Sequence, residues 1–245
     1  MRFGRCVSAA IAVAANFVVC CVCLSTGPVW AGDDDTQFLL FSGTDLWRDG
    51  RFVYSGALWS PGGLDREGFT AKLIASGGLY RYSSGALGNA QVTGTEEELQ
   101  VLPGWRFKRD RLELKVFAGF DVKNDSNSPY DPSNRLHGTR LGARASADLW
   151  FEPTPSTMVA ADASLSSIIT SYSARAAFGW RLRDWFYIGP EAQTFACIGF
   201  TQARLGIHLT GLKTGRWEWS AAAGWSADSD HRSSPYLHIG VLTRR

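Results

Sequence analysis

In RLELKVFAGFDV, residues 111–122, every second side chain is apolar. Leu112, Leu114, Val116, Ala118, Phe120 and Val122 share one face; Arg111, Glu113, Lys115, Phe117, Gly119 and Asp121 share the other. Strict alternation at period two is the signature of a β-strand whose two faces meet different surroundings. Residues 139–151 repeat it, with Leu141, Ala143, Ala145, Ala147, Leu149 and Phe151 opposed to Arg140, Gly142, Arg144, Ser146 and Asp148. Both runs exceed the ~5–6 residues usual in globular sheets. They match the ~9–11 that a tilted strand needs to cross a bilayer.

Working outward at the same period gives twelve candidate strands, near 37–47, 51–59, 69–82, 96–108, 111–122, 138–151, 157–166, 171–182, 185–196, 201–210, 216–225 and 235–243. Arg109-Asp110, Arg183-Asp184 and Lys213-Thr214-Gly215 read as tight turns, and polar stretches at 83–95, 123–137 and 226–234 read as long loops. Short turns on one side and long loops on the other are expected of a bacterial outer-membrane barrel. With both termini periplasmic, even-numbered connections face the periplasm, and Trp59, Trp105, Trp150, Trp185 and Trp217 fall near that boundary. Amphipathic indole rings belong at headgroup level. A soluble β-sandwich or a lipocalin-like barrel also alternates, but it carries its charges outside. Here the apolar face is rich in Ala and Leu while the opposite face repeats charges, which suits lipid outside and water or ion pairs inside. An all-β antiparallel transmembrane β-barrel of about twelve strands is therefore expected.

The polar strand faces hold Arg140, Arg144, Asp148, Asp162, Arg175, Glu191, Gln193, Arg204, His208 and Glu218, the candidate lumen-lining residues. Their mixed signs argue against a pore that strongly selects one ion sign and are suited to a knitted interior. Eight strands fill with side chains and sixteen leave a channel. Twelve lies between, and the period does not distinguish plug from pore.

Ahead of the strands lies a leader. Arg2 and Arg5 precede an apolar run from Cys6 to Leu24, and Val29-Trp30-Ala31 is a small-x-small cleavage site. This reads as a signal peptide over 1–31 and a single barrel domain over 32–245. A transmembrane helix is the competing reading, but Gly27 and Pro28 break the run. A lipoprotein would need a small residue before its modified cysteine, and Cys20, Cys21 and Cys23 follow Val19, Cys20 and Val22. Without the leader, 23 basic and 23 acidic residues remain, with Cys197 the one cysteine. No disulfide framework, thiol metal cluster or nucleic-acid partner is expected of such a chain.

Catalytic signatures are sparse. His231-Arg232-Ser233-Ser234 is the nearest hydrolase-like grouping, alongside His137, His208 and His238. No nucleophile elbow, paired-His zinc motif or glycine-rich phosphate loop accompanies it, so no catalytic residue, cofactor or metal is expected. Asp121, Asn124, Asp125, Asn127, Asp131 and Asn134 are rich in oxygen ligands but lack calcium-loop spacing; ordinary turn chemistry explains them. Phe120, Tyr130, Tyr54, Tyr80 and Tyr82 suit either sugar stacking at a mouth or an aromatic belt.

Several segments together resemble a known family. Ser42-Gly43-Thr44-Asp45-Leu46-Trp47-Arg48-Asp49-Gly50, Tyr54-Ser55-Gly56, Pro61-Gly62-Gly63-Leu64 and Glu67-Gly68-Phe69 are similar to the opening of the cellulose biosynthesis protein BcsS family of alphaproteobacteria. Pro103-Gly104-Trp105, Asp131-Pro132-Ser133-Asn134, Gly138-Thr139-Arg140-Leu141-Gly142 and Asp148-Leu149-Trp150-Phe151-Glu152-Pro153-Thr154 extend the likeness. The resemblance implies a non-enzymatic outer-membrane accessory in the production, export or surface attachment of cellulose, an exopolysaccharide of biofilms. Its implied partners are outer-membrane lipid, cellulose or another glucan, and components of a cellulose synthase system. It carries over no catalytic residues. A general porin or structural barrel, and a lipid- or glycan-modifying hydrolase, are the competing classes. One departure stands out: many such barrels end in an aromatic residue read by the assembly machinery, whereas this chain ends Val241-Leu242-Thr243-Arg244-Arg245. Either the last strand is recognised differently or closure is atypical.

Overall fold

A computed structural model describes residues 36–245; the expected leader at 1–31 lies outside the described residues. The chain runs β1 (Phe38–Trp47), β2 (Gly50–Trp59), β3 (Gly68–Ser84), β4 (Ala90–Arg109), β5 (Leu112–Ser128), β6 (Gly138–Thr154), β7 (Thr157–Ser166), β8 (Ser171–Leu182), β9 (Phe186–Cys197), β10 (Phe200–Thr214), β11 (Trp217–Asp228) and β12 (Ser233–Arg244). Each strand pairs antiparallel with its chain neighbours, and β1 pairs with β12 to close a twelve-stranded barrel. Closure is continuous from Leu39 opposite Arg244 to Trp47 opposite Tyr236. Phe38 and Arg245 exchange backbone N–H···O bonds of 2.7 Å. The non-aromatic C-terminus thus closes an ordinary ladder and leaves no open sheet edge in the membrane.

The two faces have the sense expected from the alternation. Outward Phe120, Leu141, Leu205 and Ile207 are 61–73% exposed, whereas inward Asp121, Glu191, Arg204 and His208 are 1–3% exposed. Burying charge while presenting large aliphatics makes no sense in water. It is required where the outer surface meets acyl chains.

The loops depart from expectation. Segments 83–84, 90–95 and 123–128 are strand, so the connections shrink to 85–89, 129–137 and 229–232. The residues read as turn formers stay extended because their inward side chains find partners: Tyr80 Oη donates to Asp125 Oδ1 at 2.7 Å, and Lys123 Nζ lies 2.7 Å from Glu96. Long loops on one side are therefore not a feature of this barrel. On the side that holds the termini, connection 60–67 is the longest and folds inward. Leu64 N–H donates to the Thr36 carbonyl at 2.8 Å. Its side chain packs with Leu39, Leu58, Leu102 and Phe117.

The tryptophans are similarly divided. Trp59, Trp105 and Trp185 are exposed on the outside near the terminal-bearing rim, and Trp59 meets Phe69 edge to face at 6.2 Å. Trp150 does not join this girdle. It packs with Met158, Ala160 and Tyr187, its ring 5.9 Å from that of Tyr187. Its even number placed it on the face of Arg144 and Asp148, so parity was the better guide than proximity to a turn.

One close approach fixes the wall. Gly189 is paired with His208, and a Cβ on Gly189 would sit 2.0 Å from the Phe178 carbonyl oxygen. The absent side chain lets the His208 ring lie across β9, with Nε2 3.1 Å from that same oxygen. Gly189→Ala must displace backbone and is expected to cost about 1–3 kcal/mol, read as a lower urea midpoint for the barrel in detergent.

Candidate functional site

The lumen encloses a cavity of about 1130 Å³. It reaches from Asn134 and Arg232 at the end away from the termini to Glu218 and Leu242, close to the terminal-bearing ends of β11 and β12. Around it the charges are paired. Arg144 Nε donates to Asp121 Oδ2 at 3.0 Å, its Nη2 meets Glu98, and its Nη1 donates to Ser164 Oγ at 3.2 Å. Lys72 Nζ donates to both oxygens of Asp148 at 2.9 and 3.2 Å, spanning two intervening strands. Arg175 Nε donates to Glu191 Oε2 at 2.7 Å, and Arg175 Nη1 lies 3.6 Å from Asp162. Glu191 Oε1 also accepts from Gln193 at 2.6 Å and Tyr236 Oη at 3.1 Å.

Arg204 is the most enclosed of these cations. Its Nη1 donates to both oxygens of Asp45 at 2.8 and 2.9 Å, and its Nε donates to Gln202 at 2.9 Å. The guanidinium lies 4.8–5.1 Å from the ring centres of Trp47, Phe195 and Tyr236. Planar, weakly hydrated guanidinium groups suit such aromatic cages.

The ten polar-face candidates therefore divide. Arg144, Asp162, Arg175, Gln193, Arg204 and Glu218 line the cavity, and Asp148 and Glu191 lie among the ion pairs behind it. His208 points inward but is packed into the wall, with Nδ1 3.0 Å from Thr210 Oγ1. Arg140 sits exposed at the rim, where its guanidinium donates to the Arg135 carbonyl. Reading the sequence missed Asp45, Lys72, Glu96, Glu98 and Lys123 as interior groups, although each follows from extending the alternation along its strand.

Aromatics proposed for sugar contact also separate. Phe120 faces lipid, while Tyr54, Tyr80 and Tyr82 line the cavity. Tyr130 is exposed in connection 129–137 with its ring 5.2 Å from that of His137. His231 lies in connection 229–232, where its N–H donates to the Asp228 carbonyl at 3.1 Å and its backbone stands at φ 58°. The oxygen-rich segment is used internally: Asp121 by Arg144, Asp125 by Tyr80, and Asn134 Oδ1 by the Leu136 N–H at 2.8 Å. Among the described residues no group of three His, Cys, Asp or Glu is placed to hold a metal ion.

Asp131 fastens connection 129–137 over the mouth. Its carboxylate accepts from Ser133 Oγ at 2.7 Å, Ser133 N–H at 2.9 Å and Tyr82 Oη at 3.0 Å. The Ser133 hydroxyl first, with the Ser133 N–H and Tyr82 adding to it, holds the carboxyl down to about 2. A free aspartate titrates near 3.9, so this latch is fully present above about pH 4 and is lost as pH falls through 2. Protease access to 129–137 is expected to stay constant from pH 7 to 4 and to rise below that, whereas Asp131→Ala opens the segment at neutral pH.

A closed antiparallel barrel with a lipid-suited exterior and an ion-paired, partly hollow interior is an outer-membrane β-barrel. The fold agrees with solved ones. An outer membrane channel from Pseudomonas putida F1 aligns with a TM-score of 0.54 at 9% identity, covering 90% of this chain and 100% of that one. The translocator domain of the autotransporter NalP from Neisseria meningitidis aligns with a TM-score of 0.50 at 12% identity, covering 96% and 98%. Comparison with curated protein sequences finds no match. The family model of the cellulose biosynthesis protein BcsS matches residues 39–245, and the chain belongs to that family.

Proposed function

We propose that the protein is a non-enzymatic accessory of cellulose export, inserted in the outer membrane with both termini periplasmic, and that glucan is handled inside its lumen. The observation that carries this reading is the lumenal cavity of about 1130 Å³ in a barrel of the cellulose biosynthesis family. A side-chain-filled barrel would offer polymer only its loops. The loops here are short, with 129–137 the longest at the outer mouth and latched by Asp131. Surface holding of polymer by long mobile loops therefore has little physical support, and the lumen is the better contact surface. Most of its charges are paired with one another, which suits an uncharged chain better than a polyanion or polycation. The partners on the periplasmic side are components of the cellulose synthase system.

The test is a clean deletion and its complement, comparing extracellular cellulose with glucan made by isolated inner membranes. Loss of surface polymer with membrane synthesis intact is the expected result. Unchanged surface polymer rejects a required role in cellulose export and leaves a general porin or structural barrel as the better reading.

A further inference from the structure

The ion pairs occupy Asp45, Glu96, Glu98, Asp148, Asp162 and Glu191. Glu218 is different: it lines the cavity, its ladder partner is Lys213, and it makes no hydrogen bond or ion pair to any described residue. Ser220, two residues further on the same face of β11, lines the cavity with its hydroxyl likewise unengaged. Across the ladder Ser220 is paired with Gly240 on β12. A Cβ on Gly240 would lie 2.7 Å from Ser220 Oγ and 3.5 Å from both His238 Nε2 and Tyr54 Oη. Three polar atoms thus crowd over the bare Gly240 backbone, closer than a side chain there would allow.

The groups over Gly240 are held in place. Tyr54 Oη and His238 Nε2 are 3.2 Å apart, and their rings stack at 5.9 Å with 17° between planes. One proton satisfies that contact and leaves acceptor capacity on the phenol oxygen. Ser220 can donate and accept, while the Glu218 carboxylate accepts only. Side chains two apart on a strand are roughly 7 Å apart, so Glu218 and Ser220 address different hydroxyls along a chain. An unpaired carboxylate also disfavours an anionic ligand.

We propose that Glu218, Ser220, His238 and Tyr54, which line the cavity beside Gly240, form a hydroxyl-recognition site for a neutral oligosaccharide segment in the lumen. It rests on the lumenal glucan reading above and gives that reading a location.

The test titrates cellohexaose into the purified full-length protein in detergent, by calorimetry, for wild type, Glu218→Gln, Ser220→Ala and Gly240→Ala. Wild type is expected to bind. Losing a hydrogen bond to a charged acceptor weakens binding about tenfold, and losing a neutral one about fivefold. Ser220→Ala should follow the neutral value, and Glu218→Gln, which keeps an acceptor oxygen and loses only its charge, should weaken binding by about the same fivefold. Gly240→Ala pushes the Ser220 hydroxyl aside without removing a polar group and should weaken binding at least as much as Ser220→Ala. Ser171→Ala, a cavity serine on β8 across the lumen, should bind as wild type does. Variants are compared only where the β-sheet circular dichroism is retained, and Ser220→Ala, which removes a single lumen-facing oxygen, keeps the test available if Gly240→Ala misfolds. Affinity within twofold of wild type in folded Ser220→Ala and Glu218→Gln overturns the site, as does absence of cellohexaose binding by wild type. If wild type binds nothing while gene deletion still removes surface cellulose, the site falls and the export role stands. If the variants lose binding while deletion leaves cellulose unchanged, the site stands and the export role falls.

Discussion

Arg204→Ala is expected to destabilise the barrel by about 3–5 kcal/mol, because it strands the Asp45 carboxylate inside a partly desolvated wall. The pair joins β10 to β1 across β11 and β12, and its two side chains are 2% and 18% exposed. Alanine also empties the space between Trp47, Phe195 and Tyr236 and leaves Gln202 without its donor. The penalty belongs to the unpaired charge rather than to the net worth of the pair. Accordingly, the double variant Asp45→Asn with Arg204→Met should recover most of the loss. Urea unfolding in lipid vesicles reads both values; a double variant as unstable as Arg204→Ala would show that shape, not charge, dominates.

Ile207→Arg carries the second large effect, about 2–4 kcal/mol, because it puts a charge at mid-membrane depth on the lipid face. Ile207 is the central residue of β10, and Leu205 beside it on the same face is equally bare. Thr201→Arg lies on the same face near the strand end and should cost only about 0–1 kcal/mol. In a water-soluble barrel both changes would be harmless surface substitutions. Equal, small effects in vesicles would therefore contradict the outward orientation of the apolar face.

Much of the barrel was legible because the period of two runs through most of each strand, broken by bulges near Gly211 and 152–153, and one face repeatedly carries charge. Strand number, order and the inside-out sense follow from that alternation alone. The ends of β3, β4 and β5 were not legible, since Asn, Asp and Ser at 123–128 are turn formers by local chemistry and become strand residues only once Tyr80 and Glu96 meet them from across the sheet. Pairing identities were hidden for the same reason. Asp45 and Arg204 are 159 residues apart, and Tyr54 and His238 are 184 apart, so closure of β1 on β12 brings the second pair together. The family segments read as structural motifs and prove partly to be lumen chemistry: Asp45 and Trp47 hold Arg204, and Asp131 to Asn134 form the mouth latch. Trp150 shows the converse, a residue whose inward position was available from parity and obscured by its nearness to a turn.

The lumenal handling of glucan is tested most directly by trapping it. A photo-crosslinking amino acid at position 220, in cells actively producing cellulose, should yield an adduct that cellulase digests, while the same group at lipid-facing position 205 should yield none. Absence of any cellulase-sensitive adduct from position 220, with the protein folded and polymer being secreted, would contradict passage or retention of glucan in this lumen.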